Sequence, residues 1–250
     1  MKNKRTNIVC AIQMGASFVF AQEKVQVKID YPKPFIGGIP KEISDYQVRD
    51  PHPHDKPRPP ILVPVGCDKL LSRGCKVTSS DDDPIIGELS YITDGDKEYD
   101  SSTYVELKKG LQWIQIDLGS EKEIYAICVW HYLGDYMGAM LAGRVYRSVI
   151  CQISNDPEFI DGVVTVFNND YRNAAQFGEG TDPEYIESPY GRPFAVNAVK
   201  GRYVRFYSNG NTSNMMNHYT EVDVYGRSIE EAQKAEVDNA EVRRKKAEQQ

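Results

Sequence analysis

The amino-acid sequence predicts an all-β sandwich, on three observations. From residue 61 to residue 226, short runs rich in Val, Ile, Tyr and Phe are separated by clusters of Gly, Asn, Asp and Ser, the texture of strands joined by turns. Within the runs, apolar and polar residues alternate. Trp113-Ile114-Gln115-Ile116-Asp117-Leu118 has one apolar and one polar face, and Tyr203-Val204-Arg205-Phe206-Tyr207 repeats the half-buried signature. No helical period of useful length appears between them. The clearest strand segments are 111–118, 124–132, 145–154, 163–167, 202–207 and 219–225.

The flanks differ in kind. Lys2, Lys4 and Arg5 precede an apolar stretch over 8–20 that closes on Val19-Phe20-Ala21. This is the pattern of an export signal, with cleavage expected after Ala21. The stretch is shorter than the roughly 20 residues a spanning helix needs. Bulky Ile8 and Val9 before Cys10 argue against lipid attachment there. Residues 22–60 are broken by eight prolines and read as an extended tether. His52 and His54 in it lack the organisation of a metal site. After Gly226, Ser228 and Glu231 have capping-box spacing and open a charged helical tail over 227–250. The expected organisation is thus a signal peptide (1–21), a linker (22–60), a β-sandwich domain (61–226) and a helix. The mature protein is expected to be secreted or periplasmic, with no transmembrane segment.

Cleavage leaves 27 basic and 36 acidic residues, a net charge of −9. Such a chain has no electrostatic footprint for nucleic acid or anionic lipid, and suits neutral ligands and cations. Four cysteines remain. Cys67 and Cys75 flank a short Gly-containing segment, where an oxidising compartment permits a local disulfide. Cys128 and Cys151 lie in strand-like runs and read equally as buried hydrophobes or as a cross-strand bridge.

Several motifs fall in one order: Thr93-Asp94-Gly95-Asp96, then Ser102-Thr103-Tyr104, Gln112-Trp113-Ile114-Gln115-Ile116-Asp117-Leu118-Gly119, Trp130-His131-Tyr132, Gly201-Arg202-Tyr203-Val204-Arg205-Phe206 and Glu221-Val222-Asp223-Val224-Tyr225-Gly226. Over residues 64–226 this order resembles the discoidin family. These coagulation-factor type C domains share the galactose-binding-like jelly roll with many carbohydrate-binding modules. Each motif also has a local reading. Asp117 and Gly119 form a turn device, while Arg202 and Arg205 cover the sheet or pair with carboxylates.

The resemblance implies a structural calcium site and a binding end. Asp94 and Asp96, with Ser102 or Thr103, offer the oxygens a hard cation takes. In relatives the matching loop binds calcium together with the Glu that begins the last strand, here Glu221, and the carbonyl before it, here Thr220. The extra residues 97–100 leave the hydroxyl ligand in question. The alternative is a hydrogen-bonded Asx turn with no metal. In relatives, sugars, lipid head groups or proteins bind at loops at one end of the sandwich. Here the aromatic loop over 130–147 supplies His131, Tyr132, Tyr136 and Arg147 as candidate ligand contacts, since sugar sites pair an aromatic face with planar or charged donors. A second polar loop, 209–218, holds Asn211, Asn214, Asn217 and His218, the last read as a structural histidine. The function expected is an exported, non-catalytic, carbohydrate-binding module. The alternatives are an adhesion or interaction scaffold that binds an extracellular protein, and a glycan-active enzyme.

Overall fold

In the computed structural model, which describes residues 23–32, 48–50, 52–53, 56–98, 103–133 and 144–248, the alternating runs are strands and the chain is a β-sandwich with one C-terminal helix. The elements are β1 (Lys24–Gln26), β2 (Leu62–Pro64), β3 (Lys69–Leu70), β4 (Lys76–Ser79), β5 (Val105–Leu107), β6 (Gln112–Trp130), β7 (Ile150–Ser154), β8 (Val164–Asn168), β9 (Arg192–Ser208), β10 (Asn217–Tyr219), β11 (Glu221–Ser228) and α1 (Ile229–Ala247). A short 3-10 helix, Leu89–Thr93, precedes the Asp-Gly-Asp loop.

The main sheet runs β3-β11-β6-β9-β7-β8, with β4 added on β6. The segments 111–118 and 124–132, separate in the sequence pattern, are halves of one strand. Between them Asp117 Oδ1 accepts from Gly119 N at 2.8 Å, and Gly119 sits at φ 78°, where only glycine is free of strain. The ladder to β9 shifts register at that point, so the bend is a bulge that curves the sheet. A second sheet, β10 with β5, brings Val105, Leu107 and Tyr219 onto the same core as Ile114, Ile116, Ile127, Val204, Phe206, Val222 and Val224. That shared core makes the two layers one sandwich.

The opposite face of β6 and β11 is also covered. Glu221, Asp223 and Tyr225 stand opposite Trp130, Cys128 and Ala126 in the ladder, and all six are buried. Part of the cover comes from the segment read as a tether, which corrects that expectation. β1 pairs with β2, and Val27 and Val63 pack on Cys67, Ala126 and Tyr225. Tyr31 meets the edges of Trp130 and Tyr190 at 6.5 and 5.5 Å. Asp50 accepts from Arg58 at 2.5 Å and from Arg192 at 3.2 Å. The missed signal is the alternation of Val25, Val27 and Ile29. It is overshadowed by the prolines that follow.

The candidate disulfide is not formed: Cys67 and Cys75 are free thiols. Cys67 is buried in the cluster under β1 and β2. Cys75 packs against the main core and donates to Leu71 O at 3.3 Å. The two thiols therefore serve different hydrophobic clusters. Cys128 and Cys151 are free and fully buried, and burial pushes both thiols well above their ordinary pKa. At the other end, Glu231 N donates to Ser228 Oγ and Ser228 N donates to Glu231 Oε2, at 3.2 and 3.0 Å. These reciprocal bonds are the capping box the sequence predicts. No helix among the described residues is long and apolar enough to cross a membrane.

Within the covered face, Lys97 is 5 % exposed; its Nζ lies 3.0 Å from Asp223 Oδ2 and 4.7 Å from the Trp130 ring centroid. Lys97→Met would leave a buried carboxylate without its cation, at a cost of about 3–5 kcal/mol in a urea unfolding titration. Pairing it with Asp223→Leu removes both charges and is expected to recover most of that loss. A double variant whose loss equals the sum of the two single losses would show that the pair contributes no coupling.

Candidate functional site

Residues 131–133, beyond the end of β6, are all buried, and this decides where the predicted contacts fall. His131 and Tyr132 are each 2 % exposed. They are not surface contacts, which corrects the expectation. His131 Nδ1 donates to Glu187 Oε1 at 2.6 Å, and its ring stacks on Tyr146 at 4.4 Å. Tyr132 stacks on Tyr104 at 3.8 Å, with the Arg144 guanidinium 5.2 Å from its centroid. Tyr136 lies outside the described residues. Arg147 alone of the described candidates is partly exposed.

His218 ties this buried layer together. Its Nε2–H donates to Glu106 Oε2 at 2.8 Å, across the β10–β5 register. Its Nδ1 accepts from Arg144 Nη1 at 3.2 Å, which requires the neutral Nε2–H tautomer. Tyr146 Oη donates to Tyr132 O at 2.8 Å. Burial, then the charges of Arg144 and His131, push the His218 pKa from 6.5 down to about 3. Burial raises Glu106 against the opposing pull of Arg144. The structural reading of His218 is what the geometry shows. Arg144, Glu106 and Glu187 were not singled out in the sequence, because ordinary polar residues become partners only through long-range contacts.

Above this layer the two loops are fastened together. Arg147 N donates to Gly210 O at 3.0 Å, Asn209 N to Arg147 O at 2.8 Å, and Thr212 N to Val145 O at 3.1 Å. The asparagines of the second loop hold the loop itself. Asn217 Oδ1 accepts from Gly210 N and Ser208 Oγ, both at 2.8 Å. Asn211 Oδ1 accepts from Ser213 N and Asn214 N at 2.8 and 3.1 Å. The exposed surface that results carries Ser213, Asn214 and Met215 beside half-buried Arg147. Among the described residues the Arg147 guanidinium has no ion pair or side-chain hydrogen bond.

The Asp-Gly-Asp loop forms two consecutive Asx turns: Asp94 Oδ1 accepts from Asp96 N at 2.8 Å, and Asp96 Oδ1 from Glu98 N at 3.0 Å. Arg73 donates to Asp94 O at 2.6 Å. Thr103 Oγ1 donates to Glu98 O at 2.7 Å, and Thr220 N donates to Trp130 O at 2.9 Å. Gly95 N donates to Glu221 Oε2 at 2.9 Å and so clamps the loop on β11. The other carboxylate oxygen, Glu221 Oε1, is buried with no hydrogen-bond partner. Burial, and next the charge of Asp223, raise this carboxyl to about 8 against the pull of Lys97 and Arg73. Among the described residues no three His, Cys, Asp or Glu side chains gather as a metal cluster. A cation here would therefore draw on backbone carbonyls and a hydroxyl besides carboxylates. The orphaned Oε1 is the observation that fits one.

His218 binds a proton more weakly when folded than when unfolded, so between about pH 6.5 and 3 its contribution to stability rises with pH and is lost as pH falls. Gln at this position keeps a donor and an acceptor but cannot titrate. Urea midpoints of His218→Gln are expected to fall less than those of the wild type between pH 7 and pH 4. Parallel losses in the two proteins would contradict the assignment.

No protein-family model matches the chain, and no curated protein matches it. Among solved structures the chain is similar to the CBM32 of AlyQ in complex with 4,5-unsaturated mannuronic acid, at 24 % identity and a TM-score of 0.43, over 60 % of this chain and 92 % of that one. It is also similar to chitosan-binding module 1 of a chitosanase/glucanase from Paenibacillus sp. IK-5, at 21 % identity and a TM-score of 0.44, over 63 % of this chain and 99 % of that module. A third likeness, at 16 % identity and a TM-score of 0.44, is to CpGH89CBM32-5 from Clostridium perfringens in complex with GalNAc-β-1,3-galactose, over 63 % of this chain and all of that one. In the truncated AlyQ with CBM32 and alginate lyase domains, the match spans 32 % of the longer chain. The CBM32 modules have the discoidin-like, galactose-binding-like fold that the motifs of this chain resemble.

Proposed function

We propose that this chain is an exported, non-catalytic module that binds carbohydrate at the joined loops around Arg147. The observation that carries the reading is the half-buried Arg147 guanidinium, which has no ion pair or side-chain hydrogen bond among the described residues and is set on two loops that backbone hydrogen bonds join. A planar donor carried on a backbone-bonded rim suits the vicinal hydroxyls and ring oxygens of a sugar. Tyr104 and Tyr132, stacked on each other with the His218 ring inclined against both, hold that rim from below. They are positioning residues rather than contacts.

Export rests on the basic start and the apolar run over 8–20. A non-catalytic role is supported by the histidine–carboxylate hydrogen bonds of the described residues, His131–Glu187 at 2.6 Å and His218–Glu106 at 2.8 Å. Their imidazole side chains are 0 and 1 % exposed, which seals them from substrate. A glycan array is expected to show binding that Arg147→Ala weakens at least about tenfold, with an unchanged melting temperature. A silent array, with a specific extracellular protein captured instead, would replace this reading by the interaction scaffold.

The calcium reading belongs to the same proposal. Asp94, Asp96, Thr103, the Thr220 carbonyl and Glu221 would hold the ion. It would supply positive charge at the orphaned Glu221 oxygen and brace the loop on β11. Adding Ca²⁺ after exhaustive chelation is expected to raise the melting temperature of the wild type and not of Glu221→Gln. No rise in the wild type would remove calcium from the account.

A further inference from the structure

Away from the joined loops, a cavity of about 300 Å³ opens between β8 and the segment that follows it. Its lining includes Thr165, Asn168, Phe177, Glu179, Thr181 and Asp182, and none of these comes from the two loops around Arg147. The volume is at the small end for ligand sites and takes a sugar ring.

Phe177 is 40 % exposed, although a ring of that size ordinarily hides. It is held there. The preceding loop has two non-glycine residues in the left-handed region, Asn173 at φ 51° and Gln176 at φ 64°, and such strain persists only where the surroundings enforce it. Asp170 Oδ2 accepts from Ala175 N at 2.7 Å, and Asn173 Oδ1 accepts from Gly178 N at 2.9 Å. Gly180 lies so near Asn168 that a Cβ would meet its carbonyl oxygen at 2.5 Å. Phe177 also leans on Tyr207, with the ring centroids 4.6 Å apart at 46°. An aromatic ring is thus fixed at the wall of an open cavity.

The ionisable residues that line the cavity are both acidic, Glu179 and Asp182, while the Arg192 guanidinium lies behind the wall, 5.4 Å from the Phe167 centroid and paired with Asp50. Asp182 Oδ2 is fixed by Asn168 N at 2.7 Å. Glu179 is exposed, and among the described residues its carboxylate has no ion pair or hydrogen bond. The aromatic face suits the C–H groups of a pyranose. Two carboxylates repel uronates and sulfated sugars, and they attract an ammonium group through charge-assisted hydrogen bonds. A cation over the ring adds to the attraction.

We propose that this cavity is a second glycan subsite, for an amino-bearing pyranose of the glucosamine type. The inference rests on the carbohydrate reading but uses none of the residues at Arg147, so the two fail separately.

The test is calorimetry at pH 6 with a β-1,4-linked glucosamine tetramer, its N-acetylated counterpart and an oligogalacturonate. The cationic tetramer is expected to bind at least about tenfold tighter than the neutral one, and the acidic one not at all. Phe177→Ala and Glu179→Gln are each expected to weaken the cationic tetramer about tenfold. Glu179 is exposed, so its variant keeps the fold and isolates the charge. Equal binding of the cationic and neutral tetramers, or binding indifferent to Glu179→Gln, overturns the assignment. So does the absence of any binding by the cationic tetramer. Array binding that depends on Arg147 while the cationic tetramer stays silent refutes this subsite and leaves the loop reading intact.

Discussion

Burial of β6 and β11 on both faces is the constraint from which most of the molecule follows. One face of β11 gives Val222 and Val224 to the main core, and the pleat then turns Glu221, Asp223 and Tyr225 to the other side. There they cannot stay in water, because the chain folds over them. Each carboxylate needs a partner, since a buried unpaired charge costs several kcal/mol. Asp223 takes Lys97 and the Tyr225 hydroxyl. Glu123 takes Arg227 and the Tyr125 hydroxyl. Glu221 takes Gly95 N on one oxygen and has no partner on the other. The Asp-Gly-Asp loop, the N-terminal strand and the calcium question are thus consequences of one doubly covered strand.

The same logic explains which parts were legible in the sequence. Period-two alternation and capping are local patterns, so the strand halves of β6 and the capping box could be read directly, whereas Arg202 and Arg205 are legible only as sheet cover or as partners of an unspecified carboxylate. Arg202 indeed donates to both oxygens of Asp117, at 2.7 and 2.8 Å. Arg205 does cover the sheet, with its guanidinium 4.2 Å from the Trp113 centroid and 4.1 Å from that of Phe159. Residues whose role depends on distant partners were misplaced. Tyr132 resembles a sugar-stacking residue until Tyr104 is laid against it. The N-terminal segment resembles a tether until β2 is found beside β1. Phe177 and Glu179 carry no local pattern at all, because the backbone strain that presents the ring depends on Asp170 and Asn173.

The buried aromatic layer also separates two duties that composition alone confuses. Tyr104, Tyr132, Tyr146 and His218 form a rigid plinth, and the tautomer of His218 is set by Arg144 on one nitrogen and Glu106 on the other. Under the proposed function, recognition would fall to a few side chains on a surface that does not need to reorganise. Preorganisation of that kind lowers the entropy lost on binding.

The direct passage from strand to helix has a mechanical consequence. Ser228 is both the last residue of β11 and the cap of α1, with no loop between them. Ala232 is buried at the junction and Lys69 pairs with Glu231 beside it. A helix of 19 residues is about 28 Å long, and beyond Ala232 it is almost wholly exposed. The cap, the buried Ala232 and the Lys69–Glu231 pair thus set the direction in which the helix leaves β11.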